Sequence, residues 1–96
     1  MENLVRRTFD GRKIKYKDLD QQHLSNIIWF NKIFIGEEKS GFEKALIDLK
    51  FGGEVLPYRP HVDFKLECKI LSKQGMLKES GEIYFRNELI GNRIPC

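Results

Sequence analysis

Apolar residues recur at helical spacing over Asp18–Ile35 (DLDQQHLSNIIWFNKIFI), the longest such run in the chain. At about 100° per residue, Leu24, Ile27, Ile28, Phe30, Phe34 and Ile35 gather on one broad face, and a face of that width has to be buried. Asp18 and Asp20 are both competent N-caps. Asp20 is preferred, because Gln21, Gln22 and His23 then form a polar first turn. This helix is the expected core element. Trp29 and Ile33 are i,i+4 neighbours on its opposite side, and Asn31 falls inside the apolar face, where an amide needs partners. Two readings are open for Trp29 and Ile33. A second layer of the same chain covers them, with Asn31 satisfied by backbone, or they form an exposed stripe at which another chain docks.

On the amino-terminal side, Leu4–Phe9 and Lys13–Lys17 flank Asp10-Gly11, a strong two-residue hairpin signal. Ile14 and Tyr16 alternate with Lys13, Lys15 and Lys17, so the lysines form a row spaced by roughly 6.6 Å. Such a row suits a phosphate chain, but lysines also protect edge strands, and the protective role has the greater weight. On the carboxy-terminal side, Ser40-Gly-Phe-Glu43 has capping-box spacing and opens a second helix. Phe42, Ala45, Leu46 and Leu49 form its stripe, and Gly52–Gly53 end it. With so short a linker the two helices are expected to pack antiparallel. Val55–Pro60 (VLPYRP) is a constrained connection. Beyond it, Val62, Phe64, Leu66, Cys68 and Ile70 alternate with charged residues, the pattern of a strand covered on one face, with Cys68 inward. Ser72–Gly75 and Glu79–Gly81 read as turns, and Ile83–Phe85 as another strand. The tail NELIGNRIPC is apolar enough to pack on the body or on a neighbouring subunit. The predicted fold is α+β, one domain over 1–96: an amino-terminal hairpin, two helices, and an antiparallel meander packed on the helices.

Composition adds limits. The net charge of +3 is uneven. Residues 1–17 hold six Lys/Arg against two acids, and residues 18–54 hold four against seven. No apolar run approaches a membrane span and no signal-peptide pattern opens the chain, so a cytoplasmic location is expected. Cys68 and Cys96 are too few for a disulfide framework and read as thiols. No C-x-x-C, H-E-x-x-H or G-x-S-x-G occurs, which leaves zinc, metallohydrolase and serine-hydrolase chemistry without a foothold. No catalytic residue, metal site or cofactor is implied. The most site-like cluster is Tyr58-Arg59-Pro60-His61, an aromatic face, a guanidinium fork and an imidazole between stiffening prolines. Arg93 of the tail is a further candidate. The competing structural reading is a rigid surface loop whose Tyr58 packs on the core and whose Arg59 pairs with Glu54. His23 reads as a partly buried structural residue.

Residues 9–26 (FDGRKIKYKDLDQQHLSN) resemble a pattern near the amino terminus of small phage-encoded accessory proteins, mostly of unassigned function. The matching residues are Asp10-Gly11, Asp18-Leu19 and His23-Leu24-Ser25-Asn26, within 18 of the 96 residues. The resemblance implies a phage accessory protein of a kind that neutralises host defence, in the host cytoplasm. The leading expectation is a non-catalytic homo-oligomer that sequesters an anionic nucleotide-type ligand through Tyr58, Arg59, His61 and Arg93. The alternatives are an inhibitor that binds a host protein, using Trp29, Ile33 and the tail, and a nucleic-acid-binding protein using the basic hairpin.

Overall fold

A computed structural model describes residues 4–7, 11–36, 39–60 and 65–93. The fold is α+β, as the patterning predicts. Strands β1 (Val5–Arg7) and β2 (Lys13–Lys15) pair antiparallel, and a 3-10 turn, Tyr16–Asp18, leads to α1 (Gln21–Phe30). Asp20 caps α1 by accepting the His23 N–H at 2.7 Å, and His23 itself is exposed rather than partly buried. The helix continues through a π-helical turn, Asn31–Ile35.

Helix α2 (Gly41–Phe51) follows and packs against α1. The expected capping box does not form, because the Ser40 hydroxyl accepts from Asn31 Nδ2 instead of a helix amide. That bond also answers the Asn31 question: its partner is a side chain, not backbone. The α2 stripe is rotated from the expected one. Leu46 and Ile47 are buried, whereas Ala45 is exposed and Leu49 is 80% exposed.

The largest correction concerns Lys65–Ile70. This segment is not a strand but part of α3 (Lys65–Lys73); residues 61–64 lie outside the described residues. Strand parity would bury Leu66, yet it is 65% exposed, and the buried positions are Glu67, Cys68 and Leu71 at helical spacing. Lys, Leu and Glu are strong helix formers, and Ile70 is the one β-branched residue of the segment, so local propensity overrides an accidental alternation. Gly75, at φ 73°, ends the helix: its N–H donates to Ser72 and that of Met76 to Leu71, a Schellman closure that needs the left-handed residue.

The meander is built from later residues. Strand β3 (Glu82–Phe85) pairs antiparallel with β4 (Glu88–Asn92) through a two-residue turn at Arg86-Asn87, both at positive φ. Leu77 bridges the other side of β3, and Tyr58 bridges β4 in parallel. Opposite Ile83 and Tyr84 the register skips Ile90, a bulge that buries Ile90 while Leu89 stays exposed.

Two hydrophobic clusters result. One joins Leu19, Leu24, Ile27 and Ile28 to Leu46 and Ile47, with Ile14, Tyr16 and Phe42 against it. The other joins Ile33, Tyr58, Leu71, Ile83 and Ile90, flanked by Trp29, Phe34 and Phe85. The α1 helix and its π turn run through both.

Candidate functional site

The segment between α2 and α3 is held by a polar stripe of α1. Gln21, Gln22, Ser25, Asn26 and Trp29 recur at helical spacing and face the Glu54–Arg59 backbone. Ser25 Oγ accepts the Leu56 N–H at 2.8 Å, and Trp29 Nε1 donates to the Leu56 carbonyl at 2.9 Å. Gln22 Nε2 donates to the Pro57 carbonyl and to Asn26 Oδ1, both at 2.9 Å. Asn26 then grips Arg59 at both ends, donating to its carbonyl at 2.7 Å and accepting its N–H at 3.1 Å. From the other side, the Tyr58 N–H donates to the Ile90 carbonyl at 2.7 Å. A proline-stiffened loop with its backbone groups paired in this way is preorganised.

This double attachment decides where the side chains go. Tyr58 lies beside Gly91, which brings Arg59 next to Arg93 across more than thirty residues of sequence. Together they line a cleft of about 440 Å³, with Gln22, Pro57 and Asn92 on its walls. No carboxylate lines it among the described residues. Arg59 is exposed, and its guanidinium makes no ion pair with Glu54, or any other, among the described residues. Arg93 is half-buried, with its N–H donating to the Gly81 carbonyl at 2.6 Å.

Arg59 and Arg93 thus border one cleft, and Tyr58 borders it without presenting its ring. Tyr58 is 1% exposed, with its ring in the second hydrophobic cluster, so it offers no aromatic face to a ligand. Its hydroxyl is buried without a hydrogen-bond partner among the described residues. His61 lies outside the described residues. The sequence reading missed Gln22, Asn26 and Asn92. A usable signal existed for the first two, since the polar residues of α1 repeat at the same spacing as its apolar ones.

Trp29 and Ile33 do not form an exposed stripe. Ile33 is 8% exposed within the second cluster. Trp29 is half-buried against that cluster, bonded to Leu56, with Lys32 Nζ 5.1 Å from its ring centroid. The chain's own second layer covers the pair.

No group of three or more His, Cys, Asp or Glu placed to hold a metal occurs among the described residues, and no helix there is long and apolar enough to cross a membrane. No protein-family model, curated protein or solved structure matches this chain. The cleft's own chemistry carries the functional reading.

Proposed function

We propose that this chain is a non-catalytic binding protein that captures an anionic, nucleotide-type ligand in the Arg59–Arg93 cleft. The observation that carries the reading is the presence of two arginines, Arg59 and Arg93, on one cleft with no carboxylate among the described residues of its lining. Guanidinium forks recognise phosphate oxygens bidentately. A volume of about 440 Å³ is that of an open cleft with room for a small organic ligand. With the Tyr58 ring buried, the phosphate end supplies the binding energy, and Asn92 and Gln22 are the polar groups left to read a base or sugar. The resemblance of residues 9–26 extends the proposal to a phage accessory protein that sequesters a host nucleotide signal.

Calorimetric titration with pyrophosphate and with linear and cyclic nucleotides tests it. Arg59→Ala should weaken binding at least about tenfold, since a charge-assisted pair contributes roughly 1.5–3 kcal/mol. The thermal midpoint should stay near that of the wild type, because the side chain is exposed. Arg59→Lys should recover only part of the affinity, because an ammonium lacks the planar fork. Absence of binding by the wild type, or full affinity in Arg59→Ala, would overturn the reading.

A further inference from the structure

The β1–β2 hairpin carries a feature that its stability does not require. Its register sets Arg7 opposite Lys13, Arg6 opposite Ile14, and Val5 opposite Lys15. Directly opposed residues share a face and neighbouring pairs alternate. One face therefore holds Val5, Arg7, Lys13 and Lys15, all exposed. The other holds Arg6 and Ile14, half-buried, with Ile14 against the first cluster. Lys17 does not extend the row, because the chain has already entered the 3-10 turn.

Edge protection accounts for lysines on an outer strand. It does not call for a guanidinium directly across from an ammonium, which costs stability until an anion comes between them. Arg7, Lys13 and Lys15 make no ion pair or hydrogen bond through their side chains among the described residues. Among the described residues the cationic face has no internal counter-charge.

We infer that this hairpin face, carrying Arg7, Lys13 and Lys15, docks on the phosphate backbone of duplex DNA, at a surface separate from the Arg59–Arg93 cleft. A two-stranded ribbon fits the dimensions of a major groove, and its cations reach phosphates without reading bases. Single strands are the poorer partner, because their binding relies on aromatic stacking platforms. The described residues of this face offer none: Tyr16, just after β2, meets Phe42 edge-on at 4.9 Å between centroids. A membrane surface is also disfavoured, since Val5 is the one apolar side chain among the described residues of the face.

Fluorescence anisotropy of the full chain with duplex oligonucleotides of unrelated sequence, over a salt series, tests the inference. Contacts to about three phosphates give a slope of log K against log salt near −2.7, or roughly 40-fold weaker binding between about 50 and 200 mM salt. The Arg7→Thr/Lys13→Thr/Lys15→Thr variant should lose that slope, while Arg59→Ala leaves it unchanged. Lys13→Glu provides a second, independent readout. It replaces a repulsive cross-strand pair by an attractive one, so the thermal midpoint should rise while duplex binding falls. Tighter binding to single strands, a slope unaltered in the triple variant, or a slope abolished by neutralising Lys65, Lys69 and Lys73 of α3 instead would overturn the inference.

Discussion

Asn26, Asn31 and Glu67 all place polar groups on helix faces that turn inward or meet another segment, and they meet different fates. Asn26 uses its amide twice on the Arg59 backbone, and Asn31 finds Ser40. Glu67 is 7% exposed on the buried side of α3, and burial pushes its carboxyl from 4.5 up to about 7. An acid whose pKa is raised by folding holds its proton in the native state where the unfolded chain has released it. Its contribution is therefore fully present below about pH 4.5 and is lost as pH rises to about 7. The shift corresponds to a loss on the order of 3 kcal/mol. Denaturant unfolding of Glu67→Gln should match the wild type at about pH 4 and exceed its stability at about pH 8. Equal pH dependence in both proteins would show that Glu67 is not the source.

At the scale of elements, the contact that assembles the cleft is the parallel bridge between Tyr58 and Gly91. Gly91 is needed there for space. A Cβ at this position would lie 1.7 Å from the Tyr58 carbonyl oxygen and 2.7 Å from its carbon, both backbone atoms that no rotamer change can move aside. Gly91→Ala should push β4 away from the loop, at a cost of about 2 kcal/mol or more in urea unfolding. It should also weaken ligand binding with both arginines intact. A variant as stable as the wild type and of equal affinity would show that the bridge does not hold the site together. Helix α3 illustrates the opposite case, in which local propensity decides: LECKILSK reads as a strand by alternation and folds as a helix.

The whole molecule is elongated, 40 × 27 × 22 Å, with its two clusters side by side along α1. Because one continuous helical segment contributes Leu24 to the first and Ile33 to the second, neither cluster can open without disturbing the other. Leu24→Ala and Ile33→Ala should each cost about 2–5 kcal/mol, a large fraction of the stability of a small domain. Thermal unfolding followed by Trp29 fluorescence and by far-UV circular dichroism should give coincident transitions in the wild type and in both variants. A Trp29 transition that precedes the loss of helix, in Ile33→Ala alone, would mean that the second cluster unfolds on its own.

The sequence by itself determined the elements whose signals are local. The Asp20 cap, the apolar face of Leu24, Ile27 and Ile28, the hairpin and the Gly52–Gly53 stop each depend on neighbours within a turn or two, so periodicity and capping chemistry suffice. It also singled out Arg59, beside a stiffened loop, and Arg93 of the tail as candidates, and the structure sets both on one cleft. Tertiary structure alone decided the rest. Whether Tyr58 faces a ligand or the core depends on which of its sides β4 occupies, and the Tyr58–Gly91 approach joins residues distant in sequence. Trp29 and Ile33 look unpartnered on an isolated helix and are covered once the β3–β4 pair folds over them. Arg7 opposes Lys13 only through the strand register, and the pairing of side chains across strands is a property of two segments together, not of either one read alone.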